Sequence, residues 1–119
     1  MAFSVSTYRK IIKHILSKYV HVRYAYGDIH NQTIFDESGD HYVVMSLGWQ
    51  PAPGMRNTLK RVHGALIYID IIDGKIWVQR DGTEQGIAGE LVAAGVPPHQ
   101  IVLGFYTPDV RPYTEFAVA

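Results

Sequence analysis

The sequence predicts an α+β fold: one domain, residues 1–119, in which an antiparallel β-meander carries an N-terminal helix and a second helix after the fourth strand. Three observations predict it. Tyr8, Ile11, Ile12, Ile15, Leu16 and Tyr19 recur at helical spacing. Asp73-Gly74 separates two apolar strand-like runs, and such a pair suits the two-residue type I′ loop of an antiparallel hairpin. Gly95, Val96 and Pro97 read as a left-handed helix cap, its apolar contact and a proline stop.

The first helix spans positions 6–20, with Ser4 or Ser6 as its cap, and its polar face holds Arg9, Lys10, Lys13, His14 and Lys18. Positions 22–28 are an irregular or extended connection. A short strand at 33–36, a turn at 37–40 and a longer strand at 41–50 form a hairpin. Pro51 and Pro53 remove backbone donors, so 51–57 is an exposed loop. The run 59–72 sends Ala65, Ile67, Ile69 and Ile71 to one face and Leu66, Tyr68 and Ile72 to the other. Apolar residues on both faces predict a central strand covered on both sides over its second half. Positions 75–80, with Trp77, return beside it. Asp81-Gly82 breaks the strand, and Thr83 caps a helix running to Ala94 that buries Ile87, Leu91 and Val92. Gly86 and Gly89 are expected to let that helix approach a neighbouring backbone. A last strand at 101–106 and an extended tail at 107–119 complete the chain.

Composition narrows the function. Eleven basic and eleven acidic side chains leave a formal net charge of zero, against the basic excess from which nucleic-acid binders draw most of their affinity. A local basic patch remains open. Cysteine is absent, which excludes disulfides and thiolate metal sites and fits a reducing cytoplasm. Met1–Ser6 holds no apolar h-region, so no signal peptide is expected, and no apolar run approaches a membrane span.

Candidate chemistry is sparse. The histidines His14, His21, His30, His41, His63 and His99 are scattered, and Asp28 with His30 is the best local pair, so no metal site is expected. Asp70, Asp73 and Lys75 lie around one hairpin as a metal-dependent nuclease site would require, yet Asp73-Gly74 is better explained as the turn, and no Glu-x-Lys follows. Asp70, an acid within an apolar strand, reads as a buried polar residue held by hydrogen bonds, with an interface salt bridge or catalysis as alternatives. No nucleophile elbow and no Walker or dinucleotide pattern occurs, so no catalytic residue and no cofactor are named. The aromatic set Tyr24, Tyr26, Trp49, Trp77, Phe105, Tyr106 and Tyr113 divides between core and interface.

Several segments occur together: Tyr26-Gly27-Asp28-Ile29, Thr33-Ile34-Phe35-Asp36, Gly48-Trp49, the run from Ile69 to Gln79, Gly82-Thr83-Glu84, Ala94-Gly95-Val96-Pro97, Ile101-Val102-Leu103-Gly104-Phe105 and Phe116-Ala117-Val118-Ala119. In that order, over nearly the whole chain, they resemble the XisI family of element-excision controlling factors. The resemblance implies a role in excision of the fdxN element in heterocysts of filamentous cyanobacteria, beside a site-specific recombinase and a nuclease-like partner, XisH. It transfers no catalytic residue. Two departures stand out: positions 51–58 are longer than the family's usual link, and Tyr68 stands where histidine is expected.

Three functional readings follow. The first is a non-enzymatic factor working through an XisH-like protein. The second is a direct DNA-binding accessory factor using Arg9, Lys10, Lys13 and Lys18, with DNA contact expected to be weak or indirect. The third, least favoured, is a small metal-dependent hydrolase or nuclease around Asp70. The apolar tail, with Trp49, Tyr113 and Phe116, is expected to contribute to a homodimer interface, the alternative being a tail docked on its own sheet.

Overall fold

A computed structural model of the chain describes residues 4–22 and 27–119; of the connection expected at 22–28, positions 23–26 with Tyr24 and Tyr26 lie outside them. Helix α1 (Val5–Ser17) is capped by Ser4, whose hydroxyl accepts from the Thr7 amide, and runs on into a 3₁₀ turn at Lys18–His21. Its apolar stripe buries Tyr8, Ile12, Ile15 and Leu16.

Strands β1 (Asp28–Asp36), β2 (His41–Pro51), β3 (Leu59–Ile72) and β4 (Lys75–Asp81) form an antiparallel meander. Helix α2 (Ile87–Ala93) then crosses to β5 (Ile101–Leu103), which pairs parallel with β4, giving a five-stranded sheet in chain order. Asp73 and Gly74 both take positive φ, 50° and 79°, as a type I′ turn requires. Strand β1 starts at Asp28 rather than Thr33. Its inward positions are Ile29, Asn31, Thr33 and Phe35, so a polar residue interrupts the apolar alternation that would have marked it.

The start of α2 differs from expectation. It begins at Ile87, and Thr83 does not cap it. Asp81 does, its carboxylate accepting from the amides of Ile87 and Thr83 and from the Thr83 hydroxyl. Gly86 is needed for its φ of 86° at the helix entry. A side chain at Gly89 would meet nothing within 4 Å, so neither glycine serves close helix packing. Ile87, Ala88 and Leu91 are buried, whereas Val92 is exposed. At the other end Val96 donates to the Leu91 carbonyl and Gly95 to that of Val92, a Schellman closure.

Both helices pack on one face of the sheet. There they bury Tyr42, Val44, Ile67, Ile69, Ile71, Ile76 and Val78. The other face of β3 is not covered: Tyr68 and Asp70 are half-buried and Ile72 is 41% exposed. The expectation of cover on both sides fails because α1 and α2 also pack on each other, leaving no helix for the second face. Strand β5 ends at Leu103, since Gly104 turns in against Gln79 and Trp77, where a Cβ would lie 2.4 Å from the Gln79 side-chain oxygen. The tail is not simply extended. It makes a 3₁₀ turn at Arg111–Tyr113 and returns to β5, where Ala117 donates to the Ile101 carbonyl and bridges Val102. No helix among the described residues is long and apolar enough to cross a membrane.

Candidate functional site

Of the four lysine and arginine side chains expected on the first helix, Arg9, Lys10 and Lys13 stand on α1 and Lys18 in the 3₁₀ turn that follows, and three of them are engaged. Arg9 grips Asp40 with two charge-assisted hydrogen bonds of 2.7 and 3.0 Å. That contact raises the Arg9 guanidinium further and holds the Asp40 carboxyl below its usual range. Lys13 pairs with Glu37. Lys18 reaches Glu90 at 3.3 Å, and the same carboxylate accepts from the Tyr19 hydroxyl, whose pKa burial and Glu90 raise. These pairs bind α1 to the β1–β2 turn and to α2. Lys10 is exposed and has no carboxylate partner among the described residues.

Asp70 lies on the open face of β3, with its side chain 14% exposed. The cross-strand register sets it opposite His41 on β2 and Trp77 on β4. His41 donates from Nδ1 to one carboxylate oxygen at 2.6 Å, and Gln79 donates to the other at 3.3 Å. The hydrogen bond to Asp70 raises the His41 imidazole above its ordinary value, while burial and then Asp70 raise the Tyr68 hydroxyl. Asp70 is therefore a hydrogen-bonded acid, less enclosed than the expected buried polar residue. Asn31 and Ser46 are the buried polar pair, joined at 2.7 Å, with Asn31 also donating to the Tyr19 carbonyl. Asp28 and His30 do share a face, 4.0 Å apart and both exposed. Among the described residues no three His, Asp or Glu side chains are grouped to hold a metal ion.

The interface candidates do not form one surface. Trp49 is on β2, paired in register with Asp28 and Arg61, near one edge of the sheet. Tyr113 and Phe116 belong to the tail docked on β5, at the opposite edge. Phe116 packs against the core, whereas Tyr113 is 90% exposed.

A second surface was missed by reading the sequence. The last β3–β4 pair is Ile67 with Asp81, so positions 59–65 of β3 pair with β2 alone. Along that uncovered edge lie Lys60, Arg61, His63 and Arg80, none with a carboxylate partner among the described residues. Arg61 stacks over Trp49 and donates to the Gly48 carbonyl. The signal was available: between His41 and Ile69 the chain contains no Asp or Glu, although the whole chain is neutral.

Fold and surface together define a small α+β domain whose polar clusters, among the described residues, are ion pairs and hydrogen-bonded networks around an open sheet face. The chain belongs to the XisI protein family, whose model matches residues 3–118. It is similar to a solved XisI-like protein from Anabaena variabilis, at 38% identity over 96% of this chain and 98% of that one, with a TM-score of 0.80. It is also similar to the solved fdxN element excision controlling factor XisI from Anabaena variabilis, at 36% identity over 96% and 97% of the two chains, with a TM-score of 0.75. No curated protein matches it.

Proposed function

We propose that this chain is a non-enzymatic controlling factor for programmed excision of a DNA element. It acts in the cytoplasm through protein partners, an XisH-like protein and a site-specific recombinase. The observation that carries the reading is the likeness over 96% of the chain to a protein described as an element excision controlling factor. The polar groups support it. Asp70 is held by His41 and Gln79, and Arg9, Lys13 and Lys18 are spent on internal ion pairs. The test is a reporter element in a heterologous host supplied with the recombinase and the XisH-like protein. Excision is expected only when this chain is co-expressed. Undiminished excision without it would reject the reading.

The homodimer stands as a proposal beside it, supported by the uncovered sheet face and by Tyr113, 90% exposed. Light scattering at micromolar protein should give twice the chain mass, reduced by Tyr113→Ser; a monomeric mass for the intact chain would reject it.

A further inference from the structure

We infer that the uncovered edge of β3 is a docking groove for an extended acidic segment of a partner protein, added as a strand. The inference rests on the reading above only in taking the partner to be a protein. Strand edges whose amides and carbonyls lack a neighbour accept another strand, with main-chain hydrogen bonds giving affinity and alternate side chains giving specificity.

The groove has a defined extent. Two shallow concavities, of about 350 and 540 Å³, meet along β3 and share Gly64, Ala65 and Arg80. One end is cationic, with Lys60 and Arg61, and also holds His63; the other is mostly apolar and is walled by Tyr68, with Asp70 and Gln79 beside it. Arg80 spans the two and donates to the Ala65 carbonyl. The Leu66 carbonyl is taken by the Gly82 amide, which closes the groove where β4 departs. At the middle is Gly64, where an added Cβ would meet nothing within 4 Å, so bare backbone faces open space.

Charge selects the occupant. No carboxylate pairs with Lys60, Arg61 or Arg80 among the described residues, and Asp81, next to Arg80 in the chain, is engaged by the amides of Thr83 and Ile87. Lysines on an edge strand discourage neutral strands from adding. The same cations attract a strand carrying Asp or Glu at alternate positions, and an apolar residue further along the same face of that strand would enter the Tyr68 end. Asp70 belongs to the apolar end and not to the concavity lined by Lys60 and Arg61, and its two oxygens face His41 and Gln79.

The test uses the full chain and a fluorescein-labelled peptide of alternating glutamate and valine, read by anisotropy at low salt. A glutamine–valine peptide and a labelled DNA duplex serve as comparisons. The acidic peptide should bind saturably and the glutamine peptide at least about tenfold more weakly, as complementary charge sets partner choice. Gly64→Leu, whose Cβ enters open space within the groove, and the double variant Lys60→Glu/Arg61→Glu should each weaken binding about tenfold or more. Lys10→Glu should not. No binding of the acidic peptide, an unchanged affinity in Gly64→Leu, or tighter binding of the duplex lost in the double variant would each overturn the groove. Reporter excision is scored separately, so a failed groove with intact excision leaves the functional reading standing.

Discussion

At the scale of single residues, the informative pair is His41 and Asp70. Asp70 was legible as unusual because a carboxylate interrupts an apolar strand. Its partner was not legible, because only the strand register brings His41 opposite. His41 has a folded-state pKa raised above its ordinary 6.5, first by the hydrogen bond to Asp70. Its contribution to stability is therefore fully present below pH 6.5 and is lost as pH rises through the raised value. The melting temperature of the native chain, compared with His41→Gln across pH 5 to 9, checks this. The native chain should hold an advantage at the acid end that fades toward the alkaline end. An advantage that grows with pH would contradict the assignment.

Among the elements, those coded locally were readable. Asp73-Gly74 and Gly95-Val96-Pro97 specify their turn and cap through the backbone angles they permit. The N-terminus of α2 was not, because Thr83 matches the cap pattern while the true cap, Asp81, reaches across five intervening residues to Ile87. Asp81→Ala should therefore destabilise the fold by about 1–2 kcal/mol, the upper range for a lost cap. Thr83→Ala should be milder, since its hydroxyl donates to Asp81 and accepts from the Gly86 amide but leaves the Ile87 amide satisfied. Urea unfolding of both variants decides, and the reverse order would restore Thr83 as the cap. The short parallel β5 and the one-sided cover of β3 also escaped sequence reading, because both depend on where α2 lands.

For the whole molecule, the distribution of charge matters more than its sum. Zero net charge was legible, and so was the basic face of α1; that Glu37, Asp40 and Glu90 balance that face was not. Direct DNA binding should accordingly be weak and non-specific at physiological salt, as measured by anisotropy with a short duplex. A sequence-specific nanomolar shift, lost when Lys10 and Lys13 become glutamate, would contradict that balance. The central claim is that the chain controls excision by binding rather than by chemistry of its own. The most direct measurement is reporter excision, quantified by amplification across the rejoined site, with the double variant His41→Gln/Asp70→Asn in place of the native chain. Removing this cluster should leave excision at the native level while circular dichroism shows an intact fold. Excision reduced to background with the fold and acidic-peptide binding both intact would place a chemical step at His41 and Asp70 and contradict the account.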